Sequence, residues 1–230
     1  MGGQGVAVVI GATGGIGSAI AARMEAEGDF ARVIRLSRGS QPSLDLTREE
    51  TIAEAARFCA EQGEVRLIFD ATGFLHDDAM MPEKSLRDLD AGKLARSFAL
   101  NAIGPALLMK HFLPVLAREG RSVFATLSAK VGSIGDNRQG GWYGYRASKA
   151  ALNQLVRTAA IELRRTHRHA ICVALHPGTV ETPLSAPFAK QGLKLQTPDE
   201  AAAALIAAIE GLGTDASGGF FDRTGTPLPF

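Results

Sequence analysis

Short apolar runs alternate with longer stretches of helical periodicity along the chain. The apolar runs predict strands over residues 6–10, 32–36, 66–70, 122–127, 170–175 and 219–221. Helical patterns cover residues 16–27, 48–61, 145–165 and 198–210, and residues 85–117 hold one or two further helices. Strands separated by helices pair in parallel through right-handed crossovers. The pattern therefore predicts an α/β fold, a three-layer doubly wound (Rossmann-type) parallel sheet with helices on both faces, and one domain over residues 1–230.

Capping residues and prolines mark the ends of several predicted helices. Thr47, with Glu50 three positions later, has the pattern of a capping box before the second helix. Thr197 suits the N-cap of the last helix, because Pro198 then takes the first helical position. Pro105 should bend or end the long helical stretch in which it lies.

Composition and charge exclude several classes of protein. The chain has 230 residues, a formal net charge of +1 and two cysteines. This charge gives no strong basic field for nucleic acid or an anionic membrane, and two cysteines are too few for a disulfide scaffold. The apolar run at residues 6–10 is too short to span a bilayer and lacks the basic leader of a signal peptide. We expect a cytoplasmic protein with no nucleic-acid or membrane partner, and the scattered histidines predict no metal site.

A glycine-rich loop separates the first predicted strand from the first helix. It reads Gly11-Ala12-Thr13-Gly14-Gly15-Ile16-Gly17, a G-x-x-x-G-x-G spacing. Glycine permits a tight turn and close approach of the backbone to a pyrophosphate, and a helix N-terminus offers free N–H groups to that anion. A glycine loop alone is a weak signal, but its place at the first strand–helix junction predicts dinucleotide binding.

The end of the second predicted strand indicates which dinucleotide binds. An NAD site usually carries an acidic residue here for the ribose hydroxyls, whereas this chain reads Leu36-Ser37-Arg38-Gly39. Arg38 can pair with a 2′-phosphate, and Ser37 can hydrogen-bond to it. A solvated surface arginine is the alternative interpretation. We favour NADP(H) over NAD(H), with Asp45 and Leu46 beside the adenine.

Tyr145 and Lys149 lie four residues apart in a predicted amphipathic helix, which places them on one face. A tyrosine with a pKa of about 10 is a poor acid–base catalyst at neutral pH. A nearby ammonium favours the phenolate and lowers that pKa, so the pair can exchange a proton with a carbonyl oxygen. The spacing by itself is common in helices and is not specific.

With these segments the sequence resembles the short-chain dehydrogenase/reductase family over nearly its whole length. The T-G-x-x-x-G-x-G loop of that family matches residues 10–17, except that Ile10 replaces the threonine. The N-N-A-G segment of the family has an altered counterpart in residues 70–73, Asp-Ala-Thr-Gly. Tyr145 and Lys149 match its Y-x-x-x-K motif.

Two further motifs extend the resemblance. Asn101 matches the family's helix asparagine, and Pro177, Gly178 and Thr182 match its P-G-x-x-x-T segment. Five motifs in the family's order form a specific signal. The stretch from residue 132 to residue 153 most resembles the C-factor and carbonyl reductase subgroup.

The resemblance implies a role for each matched residue. Tyr145 is the acid/base, Lys149 lowers its pKa and binds the nicotinamide ribose, and Asn101 holds a water in the proton relay. The cofactor ribose and ring are backed by Ala71, Thr72 and Gly73. The segment that folds over the nicotinamide end contains Pro177, Gly178, Val180 and Thr182. Residues 181–194 match a substrate lid, and its shortness implies an open pocket.

The catalytic serine of the family has no direct match. Ala129 stands in its place, within Leu127-Ser128-Ala129-Lys130-Val131-Gly132-Ser133. Ser128 and Ser133 are the candidates to polarise the carbonyl, and we favour Ser128. Because neighbouring side chains of a strand point to opposite faces, Ser128 can serve only if the strand has already turned there.

The resemblance implies an NAD(P)-dependent oxidoreductase that transfers hydride between NADP(H) and a small carbonyl or alcohol substrate. The alternative is a nucleotide-binding signalling or scaffold protein of C-factor type with little or no turnover, which the alanine at position 129 favours. An isomerase or dehydratase on this fold is a third reading, although such enzymes usually carry an added substrate domain. By analogy, we expect a homodimer or homotetramer formed through the helix that carries Tyr145 and the helix after it. The sequence does not identify the substrate.

Overall fold

A computed structural model describes residues 5–188 and 195–230, and its described part is built on six parallel strands. The strands are Val6–Ile10 (β1), Arg32–Leu36 (β2), Val65–Asp70 (β3), Ser122–Leu127 (β4), Ala170–His176 (β5) and Phe220–Asp222 (β6). Their order in the sheet is β2-β1-β3-β4-β5-β6, and every neighbouring pair is parallel. The predicted doubly wound parallel sheet is confirmed.

Helices connect consecutive strands and cover both faces of the sheet. They are Gly15–Glu27 (α1), Glu49–Glu61 (α2), Ala91–Phe98 (α3), Gly104–Phe112 (α4), Tyr143–Leu163 (α5) and Pro198–Gly211 (α6). A π-helical turn, Ala99–Ile103, joins α3 to α4. The predicted helical stretch over residues 85–117 is thus two helices with a widened turn between them.

The core consists of two apolar clusters, one on each face of the sheet. Since side chains alternate along a strand, Val8 of β1 faces the cluster that contains α2, α4 and α5, and Val9 faces the cluster that contains α1 and α6. The sheet therefore separates α5 from α6. The helix after α5 thus lies on the other side of the sheet, and the predicted homo-oligomer contact through both helices stays a prediction. The oligomeric state itself stays a prediction.

The strand order reverses between β1 and β3. The chain passes from β1 to β2 on one side and then to β3 on the other, and Ile10 is paired with Asp70 at the carboxyl end of both strands. Ligands of such sheets bind in the crevice outside the carboxyl ends at this switch point. The glycine loop after β1 and residues 71–73 after β3 both lie at this crevice.

The helix ends agree with the predicted capping at α6 but not at α2. Thr197 accepts a hydrogen bond from the N–H of Glu200, and the capping box of α6 is complete. The capping box predicted for α2 is wrong. Thr47 donates both its N–H and its hydroxyl to Asp45 Oδ1, at 2.9 and 2.7 Å, and the helix begins only after Arg48.

The segment Ala91–Val115 is the one stretch of described helix long and apolar enough, by length and composition, to cross a membrane. Core helices of soluble proteins meet the same criterion. Here Leu108, Met109 and Phe112 are buried in the core cluster on the α5 side of the sheet. The segment forms part of one helical layer of the fold.

Candidate active site

The glycine loop folds back tightly on its own first residue. Gly11 has a φ of 78°, and its carbonyl oxygen accepts a 3.0 Å hydrogen bond from the N–H of Gly14. A Cβ on Gly17 would lie 2.4 Å from that same oxygen, so no side chain fits there. Gly14 is the N-cap of α1 and has no side chain to cap it. The N-terminus of α1, the end of a helix that favours anions, therefore opens at the carboxyl edge of the sheet.

A cavity of about 650 Å³ extends from this loop across the ends of β2 and β3. The predicted cofactor residues that line it are Gly11, Thr13, Gly14, Ser37, Arg38, Asp45, Leu46, Ala71, Thr72 and Gly73. Gly15 and Gly17 are crowded by Thr182 and by Gly11, and Ile16 packs against the core. The loop, the strand ends and residues 45–46 are thus brought together around one crevice.

The far end of the cavity carries two opposite charges. Arg38 is exposed there, and Asp45 accepts two hydrogen bonds from Thr47. These bonds, with a smaller contribution from the Arg38 charge, hold the pKa of Asp45 below its usual range. Ser37 Oγ accepts a hydrogen bond from the N–H of Gly39 at 3.2 Å, which orders the turn beneath Arg38.

Asp70 is fully buried at the end of β3 and organises the segment after it. Its Oδ1 accepts from the N–H and the hydroxyl of Thr72, at 3.0 and 2.6 Å, and its Oδ2 accepts from the hydroxyl of Thr126 at 2.7 Å. Burial raises the pKa of Asp70, and these hydrogen bonds together with the charge of Lys149 oppose the rise. The network fixes residues 71–73 along the wall of the crevice.

Asn101 lies in the π-helical turn and connects three segments of the chain. Its Oδ1 accepts from the N–H of Phe74 at 2.8 Å, and its Nδ2 donates to the carbonyl of Phe74 at 2.7 Å and to Ser148 Oγ at 3.2 Å. Single π turns inside helices frequently occur at functional sites. Asn101 is therefore held beside both the loop after β3 and the residue that precedes Lys149.

Tyr145 and Lys149 lie in the first two turns of α5. The Nζ of Lys149 donates to the carbonyl of Leu127 at 2.8 Å and lies 6.0 Å from the centre of the Tyr145 ring. Burial raises the pKa of Tyr145 to about 12. Burial also lowers the pKa of Lys149 to about 8, and the charge of Asp70 opposes that fall. Burial therefore acts on the Tyr145 pKa in the direction opposite to the lowering predicted for a tyrosine beside an ammonium.

The two candidate serines are both buried and make different hydrogen bonds. Ser128 donates to Asn153 Oδ1 of α5 at 2.7 Å, and Ser133 accepts from the N–H of Asp136 at 3.1 Å. Neither bond joins a serine to Tyr145. Ala129, between them, is extended and buried. The catalytic role of Ser128 stays a prediction.

The segment after β5 returns over the glycine loop. Gly178 has a φ of 80°, Val180 is buried, and the methyl group of Thr182 approaches Gly15, where an added Cβ would lie 2.9 Å from it. Thr182 thus lies next to the start of α1, and the implied fold of Pro177 to Thr182 over the nicotinamide end stays a prediction. Of the predicted lid over 181–194, residues 189–194 are outside the described part of the chain.

Two residues beside α5 had no signal in the sequence. Glu83 accepts a hydrogen bond at Oε2 from the N–H of Gly144 at 3.1 Å, and the ring of Phe188 lies 4.9 Å from that of Trp142. Glu83 lies in an irregular segment and Phe188 in a short 3₁₀ turn, and the partners of both residues are far away in the sequence. The contacts of Glu83 and Phe188 with α5 and the residue before it are therefore visible only in the three-dimensional structure.

Comparisons with known proteins agree with this geometry. Residues 11–209 match the family model described as enoyl-(acyl carrier protein) reductase. The chain is 38% identical to the C-signal of Myxococcus xanthus over 146 residues, which cover 64% of this chain and 84% of that protein. It is 30% identical to 1-hydroxy-2-glutathionyl-2-methyl-3-butene dehydrogenase of Rhodococcus sp. (strain AD45), over 96% of this chain and 97% of the relative.

A solved structure shares the entire architecture. The NADPH-bound carbonyl reductase from chicken fatty liver is similar over 100% of both chains, with a TM-score of 0.85 and 26% sequence identity. The similarity therefore includes the glycine loop, α5 and the segment after β5.

Proposed function

The chain belongs to the short-chain dehydrogenase/reductase family, as an NAD(P)-dependent oxidoreductase of CH–OH and C=O groups, and we propose that it is an NADP(H)-dependent carbonyl reductase. One observation carries the proposal: Tyr145, Lys149 and Asn101 lie close together beside a cavity. Arg38 lies at the far end of that cavity. The names of the carbonyl reductase and dehydrogenase relatives support it.

The crevice suits a nicotinamide dinucleotide with a 2′-phosphate. Gly17 lets the loop close on the carbonyl of Gly11, and Gly14 at the N-terminus of α1 lines the cavity, where a pyrophosphate would approach the backbone closely. Arg38 would pair with the 2′-phosphate, and Asp45 and Leu46 would border the adenine. When bound, the cofactor supplies the hydride.

Tyr145 supplies the proton in the direction of reduction. The phenol is protonated at neutral pH and can donate to the carbonyl oxygen of the substrate, but burial, which raises its pKa to about 12, makes it a weaker acid that needs a nearby positive charge. Lys149 Nζ lies 3.9 Å from the position of a Cβ on Gly73 and can bind a ribose hydroxyl on that side. Its positive charge then stabilises the phenolate that remains. Asn101 would hold the water that returns the proton, and Ser128 would polarise the carbonyl.

Binding and turnover test the proposal in two steps. Purified protein is titrated with NADPH and NADH by nicotinamide fluorescence, and then receives aldehydes, ketones, quinones and, for comparison, an enoyl thioester. We expect tight NADPH binding and carbonyl-dependent oxidation, lost in Tyr145→Phe with binding retained. Binding without turnover would favour a signalling role like that implied by the name of the Myxococcus relative, and reduction of the thioester alone would replace the carbonyl by an enoyl substrate. Absence of binding would contradict both functions.

A further inference from the structure

Three consecutive residues before α5 adopt the left-handed backbone conformation. Gly140 and Gly141 each have a φ of 64°, and Trp142, the N-cap of α5, has a φ of 52° and a ψ of 43°. Within the described residues, Trp142 is the one non-glycine with a positive φ. A bulky side chain in this region is strained and persists only where its surroundings hold it, as happens at functional sites.

Glu83 holds this turn with both its main chain and its side chain. The carbonyl of Glu83 accepts from the N–H of Trp142 at 2.5 Å, and its Oε2 accepts from the N–H of Gly144 at 3.1 Å. Glu83 is 3% exposed, and its Oε1 has no hydrogen-bond partner in the described structure. A buried carboxylate is unfavourable without compensation, which here comes from the positive end of α5.

Arg146 fixes the same turn from the helix side. Its guanidinium donates to the carbonyls of Gly140 and Gly141, at 3.1 and 2.9 Å, and to that of Val131 at 3.1 Å. The turn is thus held between Glu83 and Arg146. The backbone of Trp142 is held on both sides, which fixes the position from which its indole extends.

The indole of Trp142 lies between the catalytic tyrosine and the segment after β5. Its ring centre is 6.2 Å from that of Tyr145 and 4.9 Å from that of Phe188. His76 continues the row, 5.4 Å from Phe188, and its Nε2 hydrogen-bonds to the carbonyl of Leu184 at 3.1 Å. Tyr145, Trp142, Phe188 and His76 are all half-buried, so this aromatic row remains partly accessible.

We propose that Trp142 and Phe188 form the wall of a substrate subsite that selects carbonyl compounds with a flat apolar group, such as aryl aldehydes, aryl ketones and quinones. Glu83 is a positioning residue that fixes this wall. The inference rests on the proposed carbonyl reductase function and adds its substrate class. A carbonyl oxygen that accepts a hydrogen bond from Tyr145 brings its substituent to the adjacent indole. Aromatic edges and faces attract flat rings more than saturated ones.

Kinetics with two aldehydes of similar size test the wall. Benzaldehyde and cyclohexanecarbaldehyde differ in whether the ring is flat, and their intrinsic reactivities cancel when the ratio of their kcat/KM values is compared between variants. We expect Trp142→Ala to lower the benzaldehyde preference by about two-fold to ten-fold, the range of one aromatic pair, mainly through KM. Trp142→Phe should keep it. An equal fall in kcat/KM for both aldehydes would contradict the proposed aromatic wall.

Glu83 variants separate positioning from general stability. Glu83→Gln keeps an oxygen for the N–H of Gly144, and we expect it to retain the wild-type aldehyde preference. Glu83→Ala should reproduce the loss seen in Trp142→Ala, with unchanged NADPH affinity. Tm values identify variants that fail to fold. An Ala variant that folds and keeps the wild-type preference would remove Glu83 from this role.

Fluorescence tests the subsite without turnover. Trp142 is the single tryptophan in the sequence, so the intrinsic emission reports this position directly. With NADP⁺ bound, benzyl alcohol should change the emission at lower concentration than cyclohexylmethanol. The same response to both alcohols would contradict the inference. A selective response in a protein without carbonyl turnover would contradict only the proposed function.

Discussion

Ser128 donates its hydroxyl proton to Asn153 Oδ1 over 2.7 Å, which joins the end of β4 to α5 one turn beyond Lys149. The bond from Lys149 Nζ to Leu127 holds the same strand end against the same helix. A serine that polarises a substrate carbonyl must donate this same proton to the substrate. The proposed role therefore requires Ser128 to turn away from Asn153 when substrate binds.

Ser128→Ala separates these two uses of the hydroxyl. If Ser128 donates to the developing oxyanion, as proposed, we expect kcat to fall by about 10²-fold, the usual effect of losing one such donor. Loss of the bond to Asn153 should also lower the free energy of unfolding by about 1 kcal/mol. Steady-state kinetics and thermal unfolding measure the two effects. A lower Tm with an unchanged kcat would show that Ser128 stabilises the fold through its bond to Asn153 and takes no part in catalysis.

Ser133→Ala and Ala129→Ser are the matched variants for this test. Ser133 is equally buried but bonds to the N–H of Asp136, so its removal should leave kcat nearly unchanged. Ala129→Ser restores a hydroxyl where the family carries its serine. If Ser128 already donates to the substrate carbonyl, Ala129→Ser should raise kcat by less than about ten-fold. That is well below the smallest effect typical of a general acid–base group. A large gain would show that the site lacks its serine.

Arg38→Ala should weaken binding of NADPH but not of NADH. Arg38 is exposed at the end of the cavity, and a charged hydrogen bond to a phosphate contributes about 1.5–3 kcal/mol, or roughly ten-fold to 150-fold in Kd. Fluorescence titration with both cofactors measures the two Kd values and their ratio. Arg32→Ala, an exposed arginine at the other end of β2, is the control and should change neither Kd. Equal loss for NADPH and NADH would exclude Arg38 from the 2′-phosphate site.

Patterns of apolar residues were sufficient to place the strands. The bounds of β1, β2 and β4 coincide with the predicted runs. β1 and β4 are short buried segments, β2 is partly exposed, and glycine or serine follows each of the three. The π-helical turn around Asn101 was not predictable, since the apolar residues do not mark it: Asn101 and Ala102 are buried in the turn and Ile103 is exposed. The capping box predicted at Thr47 is absent because the Thr47 hydroxyl donates to Asp45, and the spacing in the sequence does not reveal which partner is nearer.

The candidate site was predictable where local motifs define it and not where distant segments meet. Tyr145, Lys149 and the glycine loop follow from short spacings. The contact of Glu83 with Gly144 joins residues 61 positions apart. His167 is buried and hydrogen-bonds to the carbonyl of Leu116, 51 positions earlier. Long-range contacts of this kind leave no periodic trace in the sequence.

Asp70→Asn should lower the pKa of Lys149 below its value of about 8, because Asp70 is the charge that raises it against burial. A lysine with a depressed pKa in the folded protein destabilises it below that pKa, and stability rises with pH between the folded and unfolded values. We expect the contribution of Lys149 to the free energy of unfolding to increase with pH from about pH 8 in the wild type, and from a lower pH in Asp70→Asn.

Carbon NMR of ¹³Cε-labelled lysine measures this pKa directly. Lys149→Met assigns the signal, and Asp222→Asn, which removes a more exposed carboxylate at β6, is the control. A Lys149 midpoint that stays the same or rises in Asp70→Asn would contradict the coupling between the two residues.

Gly17→Ala should destabilise the fold and weaken cofactor binding together. A Cβ on Gly17 would lie 2.4 Å from the carbonyl oxygen of Gly11, which is backbone and cannot move without opening the loop, whereas a Cβ on Gly14 would lie 3.4 Å from the same atom. Overpacking of this kind costs about 1–3 kcal/mol, and each kcal/mol lowers Tm by about 2–4 °C in a chain of this size. We expect a clear fall in Tm and in NADPH affinity for Gly17→Ala, and a nearly unchanged Tm for Gly14→Ala. Thermal unfolding without cofactor compares the two variants. An equal fall in both would mean that any side chain in the loop is harmful, and that crowding against Gly11 is not the reason for a glycine at position 17.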